Sequence, residues 1–137
     1  MKDEQESFKD LRVIIVGGRS GNVQVLRTVL GMAGIVDVVA VSDSKHAVDL
    51  LRREQFAAVF CDENVDAVSG VPFTIAVRRT HDVLNPIVPI FVVCSAAHRR
   101  QIEQLRDMGV TDVLARPVSA ATVVRKLRTA VVQSVPR

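Results

Sequence analysis

The sequence Ala57-Ala58-Val59-Phe60-Cys61-Asp62-Glu63-Asn64 is the stretch that indicates the fold. Its small and apolar residues end abruptly at a carboxylate. An apolar run of this length between polar residues predicts a strand buried on both faces, as in a parallel sheet. Asp62 then lies at the carboxyl end of that strand, where ligand and reaction sites gather in open α/β folds. Taken alone, the aspartate is better explained as a cap of the following loop or helix, so the rest of the chain must decide.

The rest of the chain repeats the alternation of a short apolar run and a helical pattern. The predicted strands cover residues 11–16, 36–41, 57–62, 90–94 and 113–115. After each of them, apolar residues recur at helical spacing, and Gly34 and Gly109 end two of these helices. Five strand–helix units with short connections predict a parallel sheet with right-handed crossovers and helices on both faces.

The chain is predicted to be one domain, because no linker, repeat or low-complexity segment divides its 137 residues. We expect a charged, flexible segment over residues 1–10, a folded domain over 11–133 and a short tail over 134–137 that leaves no room for an effector domain. Ser20, Ser119 and the group Ser42-Asp43-Ser44 are predicted helix caps.

Composition favours a cytoplasmic protein. Hydrophobic residues make up 48% of the chain, but no apolar run approaches the ~20 residues of a membrane span. The polar start Met1–Glu6 has no apolar core of a secretory signal. Cys61 and Cys94 are isolated and lack metal-ligand spacing, so we expect free thiols in a reducing compartment.

The positive charge does not indicate nucleic-acid binding. The net charge is +3, but the basic residues are scattered as on solvated helix faces, and there is no Trp or Tyr to stack on bases. No nucleophile–base pair or metal cluster is visible, so we do not expect an enzyme. The turn Gly17–Asn22 follows a strand and could cradle a phosphate, but it matches no phosphate-binding motif, and a plain strand-to-helix turn is the default.

The joint spacing of several sequence features resembles that of one known family. These are the five strand–helix units, Asp62-x-Asn64 followed by Gly70, Asn85-Pro86 with Pro89 before the fourth strand, Gly109, and Arg116-Pro117. In this respect residues 11–133 resemble the receiver domains of bacterial response regulators, the CheY-like family. The resemblance implies a doubly wound, flavodoxin-like α/β fold with five parallel strands in the order 2-1-3-4-5 and five helices.

The resemblance also implies roles for individual residues. Asp62 takes the position of the aspartate that accepts a phosphoryl group from a histidine kinase, and Asn64 that of the residue whose carbonyl helps to hold Mg²⁺. Arg116 takes the position of the receiver lysine, and its bond to Pro117 is expected to be cis. Cys94 falls where receivers have a hydroxyl residue, and Val113 falls where they have an aromatic switch.

Several of these positions depart from the family pattern. Receivers hold Mg²⁺ with an acidic pair after strand one, but this chain has Gly17-Gly18, which offer no side-chain oxygen to a hard cation. We therefore expect weak or no Mg²⁺ binding at Asp62 and Asn64, and no other cofactor. Strand alternation predicts that Glu63, next to Asp62, points away from the site.

The positions of the usual readout also depart from the pattern. The thiol of Cys94 is a poor donor, and alternation predicts that the neighbouring Ser95 points off the site. Val113 cannot make the two-position switch. The fork of Arg116 can pair permanently with Asp62.

The sequence thus predicts an atypical single-domain receiver that signals through protein–protein contacts. Asp62 is either a poor acceptor or, as we favour on mechanism, silent. Expected partners are a histidine kinase or a downstream signalling protein, with homodimerisation possible through the fourth helix, fifth strand and fifth helix. The residues predicted for this face are Arg99, Arg100, Arg106 and Val113. An alternative is an anionic-nucleotide sensor, for example of a cyclic dinucleotide, that binds at Arg99 and Arg100.

Overall fold

Five strands and five helices alternate along the chain, as the sequence predicts. The computed structural model describes residues 8–17, 22–95 and 99–134, without the side chains of Asn22 and residues 131–134. The strands are β1 Arg12–Val16, β2 Asp37–Val41, β3 Ala58–Asp62, β4 Ile90–Cys94 and β5 Asp112–Ala115. The helices are α1 Asn22–Met32, α2 Ser44–Arg53, α3 Phe73–Arg79, α4 Arg99–Asp107 and α5 Ala120–Ser134. None of the helices, over the residues described, is long and apolar enough to cross a membrane.

All neighbouring strands of the sheet are parallel. Their order is β2-β1-β3-β4-β5, which confirms the predicted topology. Val16 pairs with Cys61, Asp62 with Val93, and Cys94 with Ala115. Because the strands run in one direction and are nearly level, their carboxyl ends lie along one edge of the sheet. That edge carries the candidate site.

The apolar core has two layers, one on each face of the sheet. On one face, alternate strand residues such as Ile14, Val59 and Val92 pack against α2 and α3, with Leu105 of α4 at the margin. On the other face, residues such as Phe60 and Phe91 pack against α1 and α5. The two phenyl rings stack with centroids 5.3 Å apart. Odd- and even-numbered strand residues point to opposite faces, and both faces are covered. This explains why the strands appear in the sequence as continuous apolar runs.

Two of the predicted helix caps are present in the described residues. Within the group Ser42-Asp43-Ser44, Asp43 is the N-cap of α2, and its carboxylate accepts a hydrogen bond from the backbone N–H of His46 at 2.7 Å. The hydroxyl of Ser119 accepts one from the N–H of Thr122 at the start of α5, at 3.2 Å. The predicted cap Ser20 lies outside the described residues.

The amino-terminal boundary differs from the prediction. Residues 1–10 were expected to form a flexible segment, but Phe8 is only 4% exposed and packs in the core layer of α1 and α5. Its carbonyl accepts a hydrogen bond from the N–H of Leu11. The large apolar side chain explains the difference, because burying a phenyl ring stabilises the segment that carries it. Residues 1–7 lie outside the described residues.

Arg78 joins segments at the amino-terminal ends of the strands, opposite the candidate site. Its guanidinium donates hydrogen bonds to the carbonyls of Gly109, Pro86 and Val88, at distances between 2.7 and 3.1 Å. These carbonyls precede β4 and β5, so one side chain joins α3 to the segments that enter two strands. Burial lowers the pKa of Arg78 below its ordinary value.

The close approach of Arg78 to Gly109 makes this glycine hard to replace. Gly109 has a φ of +103°, and an added Cβ would lie 3.0 Å from Cγ of Arg78. We expect Gly109→Ala to lower the free energy of unfolding by about 1–2 kcal/mol, because a Cβ is unfavourable in this backbone region. Urea denaturation measures the change.

Gly31→Ala is the matched control for this substitution. Gly31 lies in α1, and an added Cβ would meet no atom within 4 Å. This variant should gain up to about 1 kcal/mol, because alanine favours the helix. Equal effects of the two substitutions would contradict the assigned role of Gly109.

Candidate functional site

The ends of four strands bring the predicted site residues together. β1 ends at Val16 and is followed by Gly17, whose N–H donates to the carbonyl of Val41. β3 ends at Asp62, and β4 ends at Cys94. The chain leaves β5 at Ala115, and the N–H of Arg116 donates to the carbonyl of Cys94 at 2.9 Å. This bond continues the strand ladder and places the Arg116 side chain beside the end of β3.

Arg116 and Asp62 form the central contact of this edge. Nη2 of Arg116 donates to Oδ2 of Asp62 at 2.6 Å, and the two side chains are only 22% and 12% exposed. The other carboxylate oxygen, Oδ1, accepts from the backbone N–H of Asn64 at 2.9 Å. Both oxygens of Asp62 are therefore engaged, one of them by a charge-assisted bond. The Arg116–Pro117 bond is cis, which confirms the prediction.

Glu63 and Ser95 approach Arg116, contrary to the prediction from alternation. Nη1 of Arg116 donates to Oγ of Ser95 at 3.1 Å and lies 3.8 Å from Oε1 of Glu63. The physical reason is that β3 ends at Asp62 and β4 ends at Cys94, so both residues lie one position beyond a strand. Strand alternation does not apply there, and the backbone is free to turn their side chains inward.

The side chains at this edge do not form a Mg²⁺ site of the usual composition. The described oxygen donors include the carboxylates of Asp62, already engaged, and of Glu63, together with the hydroxyl of Ser95 and the neighbouring Asn64. A Cβ built at Gly17 would overlap Cγ2 of Val23, so the place of an acidic side chain is taken by a methyl group. Among the described residues, no three His, Cys, Asp or Glu side chains are arranged to hold a metal. Mg²⁺ prefers an octahedral set of oxygens, and these residues do not fit it. Gly18 lies outside the described residues.

The two thiols are buried and stay protonated at neutral pH. Burial, and then the charge of Asp62, raises the pKa of Cys61 to about 12. Burial, and then the charge of Glu63, raises the pKa of Cys94, although Arg116 acts in the opposite direction. A buried neutral thiol is a weak donor and a poor nucleophile. Cys94 therefore packs beside the site as a neutral thiol.

The residues predicted to form an interaction face are only partly on the surface. Arg99 and Arg100 are exposed at the start of α4. Arg106 donates to the carboxylate of Asp112 at 3.1 Å, and Lys126 lies 3.2 Å from the same carboxylate. Val113 is only 5% exposed and therefore lies behind the face.

The α4–β5–α5 face thus presents arginines beside a partly exposed ion-pair network of Arg106, Asp112 and Lys126. Neither of the two cavities described for this chain includes Arg99 or Arg100. The predicted phosphate cradle, Gly17–Asn22, lies largely outside the described residues.

A contact between Asp66 and Ser44 has no signal in the sequence. The backbone N–H of Ser44 donates to Oδ1 of Asp66 at 2.9 Å, and the hydroxyl of Ser44 donates to the carbonyl of Asp66 at 2.6 Å. The loop that follows Asp62 is thereby attached to the first turn of α2. Desolvation acts to raise the pKa of Asp66, but the hydrogen bonds with Ser44 outweigh it and leave that pKa below its ordinary value of 3.8.

The sequence model of the family described as "Response regulator receiver domain" matches residues 13–128. Among curated proteins, chemotaxis protein CheY-3 of Vibrio cholerae is 24% identical over 119 residues, which cover 87% of this chain and 90% of that protein. The osmosensing histidine protein kinase SLN1 of Saccharomyces cerevisiae is 22% identical over 86% of this chain but only 10% of its own length.

Two solved structures show the same fold. The receiver domain of the sensor histidine kinase PA1611 from Pseudomonas aeruginosa superposes with a TM-score of 0.72 at 24% identity, over 88% of this chain and 97% of that chain. That structure has a magnesium ion coordinated in its active-site cleft. A sensor protein from Polaromonas superposes with a TM-score of 0.76 at 22% identity, over 92% and 99% of the two chains. At these identities the likeness concerns the fold.

The contact between Gly17 and Val23 predicts a coupled pair of substitutions. Gly17→Ala should lower the free energy of unfolding by about 1–3 kcal/mol, because the new methyl group overlaps Val23. In a Val23→Ala background the same substitution should cost less, because the obstructing methyl groups are gone. Chemical denaturation of the four proteins measures the coupling. An equal cost of Gly17→Ala in both backgrounds would contradict the steric explanation.

The Asp66–Ser44 contact predicts a defined pH dependence of stability. The pKa of Asp66 is lower in the folded protein than its unfolded value of 3.8. The ionised carboxylate therefore stabilises the fold at pH values above 3.8, and this stabilisation is lost as the pH falls through the pKa of the folded state. Wild type should therefore exceed Asp66→Asn in stability at about pH 7 and lose that advantage progressively as the pH falls below the unfolded pKa of 3.8.

Ser44→Ala is the control for the pH experiment. It removes the hydroxyl but retains the N–H that donates to the carboxylate, so part of the pH dependence should remain. Urea midpoints across the pH range provide the measurement. Parallel curves for wild type and Asp66→Asn would contradict the assignment.

Proposed function

This chain belongs to the family of response regulator receiver domains, which act in two-component signalling, and from that premise we propose that it is an atypical receiver whose acceptor site is silent or impaired. In this proposal Asp62 keeps the acceptor position but does not carry the signal. The domain acts by binding other signalling proteins, and the state of its surface does not depend on phosphorylation.

The observation that carries this proposal is the contact between Arg116 and Asp62. A phosphoryl acceptor must present a free carboxylate oxygen to an anionic donor, and charge must be compensated where it develops on the transferring group. Here Oδ2 is bound at 2.6 Å by a guanidinium that is largely buried. Transfer would require this part-buried, charge-assisted bond to break.

The poor fit of Mg²⁺ supports the same conclusion. The receiver domain of PA1611 holds magnesium in its cleft, whereas in this chain the glycine at the end of β1 has a valine methyl where an acidic side chain would lie. We propose that Mg²⁺ binds here weakly or not at all. The single positive charge of Arg116 then takes over the neutralisation of Asp62 without offering open coordination positions.

The partner surface of the proposal is the α4–β5–α5 face. Asp112 joins Arg106 to Lys126, and Nζ of Lys126 also donates to the carbonyl of Val113 at 2.7 Å. This network links the three elements, and Arg99 and Arg100 are exposed beside it. The chemistry suits an acidic surface on a histidine kinase or a downstream signalling protein. Homodimerisation through the same face is the alternative, which sedimentation analysis distinguishes.

A titration with Mg²⁺ and beryllofluoride, a phosphoryl mimic, tests the silent site. We expect the amide signals of Asp62 and Asn64 in wild type to show no saturable shift. Arg116→Ala frees Oδ2 of Asp62 and should show a stronger response to Mg²⁺. Two-dimensional NMR spectra record both results on the folded protein.

Arg106→Ala is the matched control for Arg116→Ala. It also removes an arginine paired with an aspartate, at 3.1 Å, but at a distance from the site, so it should behave as wild type does. A saturable response of wild type that disappears in Asp62→Ala would overturn the proposal and identify Asp62 as a working acceptor.

A further inference from the structure

An apolar cavity of about 350 Å³ lies beside the Asp62–Arg116 pair. It opens between α1, the ends of β1, β3 and β4, and the segment after β5. Its walls include the apolar side chains Val16, Val23, Leu26, Val29, Val93 and Val118. A volume at this scale with mostly apolar walls is typical of small-molecule sites. The residues that carry the proposed signalling surface are not among the lining residues.

The sequence keeps this cavity apolar where an acidic site would otherwise be. Gly17 contributes no side chain, and the methyl group of Val23 takes the adjacent space. Val25 lies on the rim and is 63% exposed, although a valine at a solvated helix position gains nothing from water. An exposed apolar rim above an apolar cavity is favourable when a nonpolar molecule covers it.

The polar groups of the cavity define the head group of its ligand. Asp62 and Arg116 are the charged side chains that line it, and they neutralise one another. A charged ligand would add an unpaired charge between apolar walls, which is costly. A guanidinium has five N–H donors, and the hydrogen bonds of Arg116 to Ser95 and Asp62 use only some of them, while Asp62 retains acceptor capacity. A hydroxyl or carboxamide can accept a hydrogen bond from Arg116 and donate one to Asp62.

We infer that this cavity binds a small uncharged amphiphile, with an apolar body between α1 and β4 and a single hydroxyl or carboxamide head at the Asp62–Arg116 pair. Such a ligand contacts the acceptor carboxylate directly. The domain then senses a neutral small molecule in the place where receivers react with a phosphoryl group. The inference rests on the cavity and its ion pair and does not require that Asp62 be silent.

Binding of two uncharged probes tests this inference on the full chain. Prodan is an uncharged naphthalene dye whose emission rises in apolar surroundings, and the chain has no Trp or Tyr to interfere. We expect saturable prodan fluorescence, displacement of the dye by octanol, and NMR shifts at the amides of Val93 and Val118. Octanoate should displace the dye more weakly than octanol, because its carboxylate would lie beside Asp62.

Two substitutions on α1 provide a matched comparison. Val25→Asp places a charge on the rim of the cavity and should weaken prodan binding by about tenfold or more. Met32→Asp makes the same change in charge at a residue that is 66% exposed on the same helix but does not line the cavity, so it should leave the affinity unchanged.

Three results would overturn the inference. They are the absence of saturable binding by both probes, an equal loss in the two α1 variants, and tighter binding of octanoate than of octanol. None of them bears on the proposed function, because the beryllofluoride titration reads Asp62 independently of the dye. A failure of one proposal is thus distinguishable from a failure of the other.

Discussion

The level ends of parallel strands are the constraint on which the site depends. Asp62 pairs with Val93, and Cys94 pairs with Ala115, so the residues after β3, β4 and β5 emerge side by side. The backbone bond from Arg116 to Cys94 then directs the guanidinium towards the carboxylate. The ion pair is therefore a product of backbone register. Register brings residues that are 54 positions apart to neighbouring strand ends.

In the proposed function, the guanidinium of Arg116 rather than a metal neutralises Asp62. A divalent cation carries two charges and accepts several oxygen ligands, including those of an incoming group. The guanidinium carries one charge and only donates hydrogen bonds, in a fixed plane. It donates to Asp62 and Ser95 and lies 3.8 Å from Glu63, but it cannot coordinate a reacting oxygen as a metal ion does. In the proposed function this end of the sheet is a polar contact rather than a reactive centre, with an apolar space beside it.

The fold and the pairing of Asp62 with Arg116 were accessible from the sequence, whereas the details around them were not. Apolar runs and helical spacing predicted the ten elements because both faces of the sheet are covered. Alternation failed at Glu63 and Ser95, since each follows the last residue of a strand and the two-residue period ends there. The Asp66–Ser44 contact joins segments 22 residues apart, and such contacts depend on tertiary placement that no local pattern encodes. The burial of Phe8 was not predicted, because a single aromatic residue within a charged segment makes no recognisable apolar pattern.

Arg78 binds the carbonyls that precede β4 and β5, and this edge is the one remote from Asp62. Backbone dipoles, rather than a carboxylate, satisfy its charge. At this end of the sheet Arg78 is therefore bound by main-chain carbonyls, which substitutions of the residues that carry them do not remove. Substitutions among the residues around Asp62 therefore leave these hydrogen bonds in place.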